Sequence, residues 1–329
     1  MRGIGWLAGA SLALAAGTME AGPAERLRAS YGSISGSTVP IWITKDAGLF
    51  EKHGLDVELP FIEGGAKAMA ALVAGDVPIA QLGGSHVVSS HVAGSGVVIL
   101  AGVVNRLEYK VVVAKHITRP EQLRGKRAAV ATLGGSGYLA MQYALGKWGM
   151  APDKDMALLQ IGSQPARLQA LVAGAVDAAV LSLPATTRAQ KAGFTSLMDL
   201  SAEAIEYQQL TLATTSAFIR SHPETVRRFL RAYLEGIAFL KTRKAESLRI
   251  IAKYFRSGDR DELEAVYGEY ALNLIQRKPY PTLRGLQLVM DELAPKNPNI
   301  RGVKPEQFVD LRFLKELDES GFIDRLYPR

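Results

Sequence analysis

Three short stretches of this chain have the chemistry to hold a small anion: Ser35-Gly36-Ser37-Thr38, Gly83-Gly84-Ser85 and Thr132-Leu133-Gly134-Gly135-Ser136. Each falls where an apolar, strand-like run gives way to a helical one. At such a junction the free N–H groups and the positive end of the helix dipole favour a negative group. Ser and Thr hydroxyls add donors, and glycine lets a ligand approach the backbone. One such loop reads as an ordinary cap or turn. Three together read as the walls of a ligand cleft between domains.

Covalent chemistry finds less support. Ser85 and Ser136 each have a glycine two residues before but none two residues after, so no nucleophile elbow is present. Gly94-Ser95-Gly96 begins a dinucleotide pattern, but Ile99 stands at the final glycine position and the run lies between helix and strand, the wrong junction for a phosphate turn. No Walker lysine motif occurs. His86 and His91 are five apart, which puts them on different faces of a helix, unlike a helical metal pair. These and His53, His116 and His222 read as core or surface histidines. No metal site, cofactor or catalytic residue is expected. The chain has no cysteine, which excludes disulfides, thiolate ligands, Cys nucleophiles and lipid attachment at an N-terminal Cys.

The elements that position these loops alternate. Strand-like runs at 26–34, 56–62, 77–82 and 97–104 are separated by helical ones, the pattern of βαβ units and a mainly parallel sheet. The order is then replayed from Arg127. The unit Ala71-Leu72-Val73-Ala74-Gly75 to Leu82 returns ninety-nine positions later as Ala170 to Leu181, with eight of twelve residues identical. Each copy predicts a helix end, a glycine stop and a buried strand. The loops after the two strands differ: Gly83-Gly84-Ser85 in one copy, Ser182-Leu183-Pro184 in the other. Specificity is expected where the copies diverge, and a bulky residue at Gly84 is expected to abolish binding without unfolding the protein. Beyond Phe218 the alternation stops. Ser221-His222-Pro223-Glu224 reads as a capping box, followed by an apolar stripe of Val226, Phe229, Leu230, Tyr233, Leu234 and Ile237. Further helices are predicted at 245–254, 262–275 and 283–293.

A length of 329 residues suits two domains, and 48% hydrophobic with 22% charged residues is the balance of a soluble globular protein. The net charge of +7 is scattered, without a basic run interleaved with aromatics, so a solvated basic surface is expected and no nucleic-acid partner. Arg2 followed by the apolar run Ile4 to Ala16 and an alanine-rich exit reads as a secretory signal over residues 1–21, with the mature chain starting near Gly22.

The stretch from Pro40 to Val57, PIWITKDAGLFEKHGLDV, closely resembles a segment of the periplasmic substrate-binding proteins of ABC importers, in the nitrate, sulfonate, taurine and bicarbonate branch that includes the thiamine-pyrimidine synthase-like proteins. Supporting stretches are Ala71 to Gly84, Leu123 to Arg127 and Arg167 to Ala179. The resemblance implies the type II periplasmic-binding-protein fold: two α/β lobes, a hinge of two crossing strands, and here a helical C-terminal extension packed on the first lobe. The crossings would be Tyr109 to Ala114 outward and Leu210 to Phe218 back. Residues 22–113 and 214–329 would then form lobe one, and residues 114–213 lobe two. Ligand contacts are implied at Ser35, Ser37, Thr38, Gly84, Ser85, Asn105, Thr132, Gly135, Ser136 and Ser182. Pyrimidine-synthesising relatives use a cysteine-rich segment that this chain lacks, a departure that argues against synthase activity.

The resemblance implies a monomeric periplasmic protein that closes on a small ligand and delivers it to an ABC permease in the inner membrane. A sulfonate, carboxylate or nitrate-like anion suits the hydroxyl loops, although no arginine is placed in the cleft by sequence. Glu63, before Gly64-Gly65, is the residue that would suit an amine-bearing ligand. Two other readings are an enzyme on the same fold with His86 or Glu63 as acid or base, and a sensor that presents its closed form to a receptor.

Overall fold

The computed structural model describes residues 24–152 and 154–328, so the expected leader and its cleavage point lie outside the described residues. The chain runs through β1 (Glu25–Ser30), a 3-10 turn (Gly36–Thr38), α1 (Val39–Asp46), α2 (Leu49–Lys52), β2 (Leu55–Glu58), α3 (Gly65–Ala74), β3 (Ile79–Leu82), α4 (Gly84–Val92) and β4 (Val97–Arg106). The second lobe holds β5 (Lys110–Val113), β6 (Lys126–Val130), α5 (Ser136–Lys147), β7 (Met156–Gln160), α6 (Gln164–Val172), β8 (Ala178–Leu181), α7 (Ala185–Lys191) and β9 (Thr195–Asp199). The chain returns through β10 (Glu206–Thr215) and continues with α8 (Ser216–Ser221), α9 (Pro223–Thr242), α10 (Lys244–Phe255) and α11 (Arg260–Val266). A π-helical segment (Tyr267–Leu274), α12 (Leu283–Leu293), α13 (Arg312–Glu319) and α14 (Phe322–Arg325) complete it.

Two five-stranded sheets result, ordered β2-β1-β3-β10-β4 and β7-β6-β8-β5-β9. In each, three parallel strands are followed by an antiparallel one, β10 in the first sheet and β5 in the second. The repeated unit occupies equivalent places: α3 stops at Gly75 (φ 84°) before β3, α6 stops near Gly174 (φ 69°) before β8, and both strands stand third in their sheets. Even the unburied position matches, since Val73 and Val172 are 48% and 52% exposed.

The crossings fall elsewhere than the sequence suggests. β5 pairs along its whole length in the second sheet, and β10 pairs from Glu206 onward with β4 and then β3. The chain therefore leaves the first lobe through Leu107–Tyr109 and re-enters it before Glu206, not at Leu210 to Phe218, and the expected lobe boundary at residues 213 and 214 falls near the end of a first-sheet strand. The crossing segments touch, with the Leu107 N–H donating to the Ile205 carbonyl at 3.3 Å.

The predicted apolar stripe of α9 is buried, and packs with Trp42, Phe50 and the first sheet in one core. Full burial of each such side chain contributes about 1.5–3 kcal/mol. The capping box is not formed. Ser221 ends α8, its hydroxyl donating to the Ala217 carbonyl at 3.1 Å, and α9 starts at Pro223 with His222 as its cap residue. A proline at the first helical position needs no N–H partner, so the Ser–Glu device is dispensable. Residues 262–275 are not one α-helix: the hydrogen bonding widens to π geometry from Tyr267.

Candidate ligand-binding site

A cavity of about 100 Å³ lies where the lobes meet, lined from β1's loop, β3, the outward crossing, the loop before α5, α6 and β10. Ser35, Ser37, Thr38, Thr132, Gly135 and Ser136 all line it. The first loop is braced by itself: the Ser35 and Ser37 hydroxyls are 2.7 Å apart, and the Thr38 hydroxyl donates to the Ser33 carbonyl at 2.9 Å. Gly36 donates its N–H across the cleft to the Leu183 carbonyl at 3.2 Å. A Cβ at Gly36 would run into the Tyr270 ring, which the π-helical segment presses against the loop. Gly36→Ala is therefore expected to lower the melting temperature and weaken ligand binding together; a variant that melts and binds like the parent would show that the loop can move aside.

Four expected contacts are not in the lining. Gly84 lies against the Gln208 carbonyl, with no room for a Cβ between α4 and β10. A bulky residue there would push helix from sheet, so the expected outcome changes from selective loss of binding to loss of stability. Ser85 is buried beside it, with its hydroxyl unpartnered. Asn105 donates to the Tyr280 carbonyl at 2.7 Å, tying the chain before α12 onto β4. Ser182 supports the wall from behind: its N–H donates to Gln164 Oε1 at 2.8 Å, and its hydroxyl accepts from Gln164 Nε2 at 2.6 Å. That pair fixes which way the Gln164 amide faces.

The residues that dominate the site chemically were not predicted from sequence as contacts. Arg167 on α6 is 3% exposed and lines the cavity. One guanidinium nitrogen, Nη1, donates to the Gly162 carbonyl at 3.1 Å, while Nε has no partner, and among the described residues Arg167 forms no ion pair. Burial lowers its pKa to about 10, so it stays charged near neutrality. The signal in the sequence is helical spacing: Gln164, Arg167 and Leu171 share the buried face of α6, where an ordinary core helix would carry only apolar residues.

Glu108 and Tyr109 sit on the outward crossing, and Gln209 on β10 bridges them, its Nε2 donating to the Tyr109 hydroxyl at 2.9 Å and to Glu108 Oε1 at 3.2 Å. The Tyr109 hydroxyl also meets Ser136 at 2.9 Å. Burial pushes the Glu108 pKa up to about 8, and the Tyr270 and Ser37 hydroxyls that face its carboxyl offset this only in part. His86 lies opposite, neutral because burial lowers its pKa to about 4, with Nδ1 unpartnered and Nε2 at 3.5 Å from the Thr132 hydroxyl. Glu63 stands at the exposed rim and accepts the Ser163 N–H at 2.8 Å. Neither His86 nor Glu63 is held by a second acid–base group in these contacts.

Glu108 also sets a pH dependence. The unfolded chain loses this proton near the ordinary carboxylate value of about 4.5, whereas the folded chain keeps it to about 8. Its contribution to stability is full below about 4.5 and is lost as pH rises to about 8. Glu108→Gln is expected to melt higher than the parent by a margin that grows from pH 5 to pH 8. A constant margin in melting curves would mean that Glu108 titrates normally.

The lobes meet outside the cavity as well. Arg188 on α7 makes a two-pronged pair with Glu262 on α11, at 2.7 and 2.8 Å, and Lys191 pairs with Asp259. These contacts, the Ser163–Glu63 bond and the Gly36–Leu183 bond hold the lobes in a closed arrangement.

Two α/β lobes, each sheet completed by a strand that has passed through the hinge, with a polar cavity between them, define the periplasmic-binding-protein fold. Residues 36–247 match the family described as NMT1/THI5 like, and the chain belongs to that family. It is 30% identical over 207 residues to the taurine-binding periplasmic protein of Escherichia coli K12; the match covers 61% of this chain and 62% of that relative, a little under two thirds of its length. Its fold is similar to the nitrate-binding protein NrtA of Synechocystis PCC 6803, with a TM-score of 0.76, 15% identity and coverage of 92% of this chain and 91% of that one. It is also similar to the alkanesulfonate-binding protein SsuA of Xanthomonas axonopodis pv. citri, with a TM-score of 0.73, 18% identity and coverage of 88% and 99%. The family expected from the Pro40 to Val57 stretch is thus the one found.

Proposed function

We propose that this chain is an exported solute-binding protein that captures a small anion between its lobes and delivers it to an ABC permease. The observation that carries the reading is Arg167: a buried guanidinium without a carboxylate, in a cavity between two lobes. A buried charge without a counter-charge costs several kcal/mol, and a bound oxyanion removes that cost. The three loops add hydroxyl and N–H donors around the same space. Ligand contacts are assigned to Ser35, Ser37, Thr38, Thr132, Gly135, Ser136 and Arg167. The taurine-, nitrate- and sulfonate-binding relatives support the anionic class and the importer role, and the E. coli relative supports a periplasmic location.

The mechanism is closure. Arg167 belongs to lobe two and the Ser35–Thr38 loop to lobe one, so an anion gains both sets of contacts only when the lobes meet. That differential affinity shifts the open–closed equilibrium. No bond is made or broken in the ligand. Mass spectrometry of whatever is released from the purified protein on denaturation identifies the ligand class directly. A thermal-shift panel of nitrate, alkanesulfonates and carboxylates completes the test, since a ligand at about 100 times its dissociation constant adds roughly 2.7 kcal/mol. A released cation or neutral molecule, with no shift from any anion, would remove the reading; a ligand recovered chemically altered would favour an enzyme.

A further inference from the structure

The second copy of the repeated unit runs into Ser182-Leu183, where the two copies diverge, and this loop does not line the cavity. It is held by the other lobe instead. The Leu183 side chain packs against the lobe-one core, and the Leu183 carbonyl accepts the Gly36 N–H at 3.2 Å. The Ser182 hydroxyl faces the hydroxyl of Tyr270, a residue 1% exposed in the π-helical segment after α11. The Tyr270 ring occupies the space into which a Cβ at Gly36 would project, and its hydroxyl also faces the Glu108 carboxyl on the outward crossing. Tyr270 therefore meets lobe one, the hinge and lobe two at once. The π geometry puts it there. Glu262, Val266 and Tyr270 are four apart in sequence and all buried. Four residues of α-helix overshoot one turn by about 40°, whereas four fall short of the wider π turn. The drift reverses from Tyr267, so Tyr270 stays on the face that carries Glu262. That face meets lobe two twice, Glu262 at Arg188 and Tyr270 at Ser182.

Resting on the reading of a cleft that closes on its ligand, we propose that Tyr270 is the positioning residue of that closure: one side chain that aligns the cavity walls of both lobes without touching the ligand. Toward lobe one, the ring sets Gly36 and with it Ser35 and Ser37, which line the cavity. Toward lobe two, the hydroxyl holds Ser182, whose hydroxyl and N–H fix both ends of the Gln164 amide at 2.6 and 2.8 Å. Gln164 lines the cavity; Tyr270 and Ser182 do not. Walls already in register reduce the ordering cost of binding. The ring and the hydroxyl have separable tasks. Phenylalanine keeps the ring against Gly36, while Ser182 retains Gln164 and Glu108 retains Gln209, so removing the hydroxyl strands no buried partner.

The experiment compares the mature full-length parent with Tyr270→Phe, Ser182→Ala and the double variant. Small-angle scattering reads the empty proteins, and calorimetry uses whichever of nitrate, ethanesulfonate and 2-aminoethanesulfonate binds the parent tightest. Tyr270→Phe is expected to melt within about 2–4 °C of the parent, to show a larger radius of gyration when empty, and to bind about twofold to tenfold more weakly. The double variant is expected to lose no more affinity than the worse single one, because both changes break the same link. A Tyr270→Phe protein that scatters and binds like the parent overturns the proposal, as does a double variant whose losses simply add. A Tyr270→Phe protein that melts much lower makes Tyr270 structural and overturns it too. If no probe binds the parent, the anion reading fails by itself; the scattering comparison then decides this proposal, expansion supporting it and an unchanged radius overturning it.

Discussion

Arg167→Ala is expected to abolish ligand binding while leaving the empty protein at least as stable as the parent. The two halves of that result have one cause. The guanidinium is buried without a counter-ion, so in the empty protein it is a net cost that alanine removes, offset only by the lost bond to the Gly162 carbonyl and by the space left behind. In the complex it faces the anion, and truncating one partner of a buried charge pair costs about 2–5 kcal/mol, which is roughly a thirtyfold to several-thousandfold loss of affinity. Arg167→Lys should also bind weakly, because an ammonium cannot present the planar fork that grips an oxyanion with two bonds. Calorimetry with the ligand recovered from the native protein, beside melting curves of the empty forms, measures both halves. A variant that melts much lower and binds normally would make Arg167 a structural residue.

Glu262→Ala is expected to weaken binding without touching the cavity. Glu262 is 3% exposed in its side chain and grips Arg188, 38% exposed, with both oxygens; beside it Asp259 pairs with Lys191 and caps α11 by accepting the Glu262 N–H at 3.2 Å. The pair joins lobe two to lobe one in the closed arrangement. With one partner buried and one half exposed, its loss falls between the ~0.2–1 kcal/mol of exposed pairs and the ~3–5 kcal/mol of buried pairs. The apparent dissociation constant rises in proportion as the closed form is depopulated. Small-angle scattering of the empty protein should show a larger radius of gyration in the variant, and the parent should open as salt is raised. Unchanged scattering and affinity would reduce the clasp to surface decoration. A double-mutant cycle with Arg188→Ala separates the pair's coupling from the cost of stranding Arg188.

The scaffold was legible because its signals are local. A glycine after an apolar helical run, then a short apolar strand, is written out twice, and the structure places both copies at the same point of two sheets. The hydroxyl loops were visible for the same reason, and seven of their residues, Gly83 among them, line the cavity. Gly84 and Ser85 looked like the others, yet in a junction this tight the glycine serves a helix crossing a strand, as the Gln208 carbonyl against it shows. The charged and amide residues of the site were hidden by distance. Glu108 and Gln209 are about a hundred residues apart in the chain. Tyr207-Gln208-Gln209 falls outside the strand expected from Leu210, because the partners of these buried amides, backbone groups for Gln208 and Glu108 with Tyr109 for Gln209, are distant in the chain and meet them only after the strand is in place. Arg167 sits where helical spacing calls for an apolar residue, and that mismatch was the available clue.

The position of β10 in the first sheet constrains how the protein is made. It lies between β3 and β4 and hydrogen-bonds to both, so neither of those apolar strands has its neighbour on that side until residues 206–215 have emerged. For the synthesis of more than a hundred residues, two open β edges wait in an unfinished lobe while the other lobe assembles. Open edges of that kind are the usual starting points for mispairing between chains. The first lobe is thus the part that begins first and finishes last, and a chaperone that shields the nascent chain would have most to do over residues 79–106.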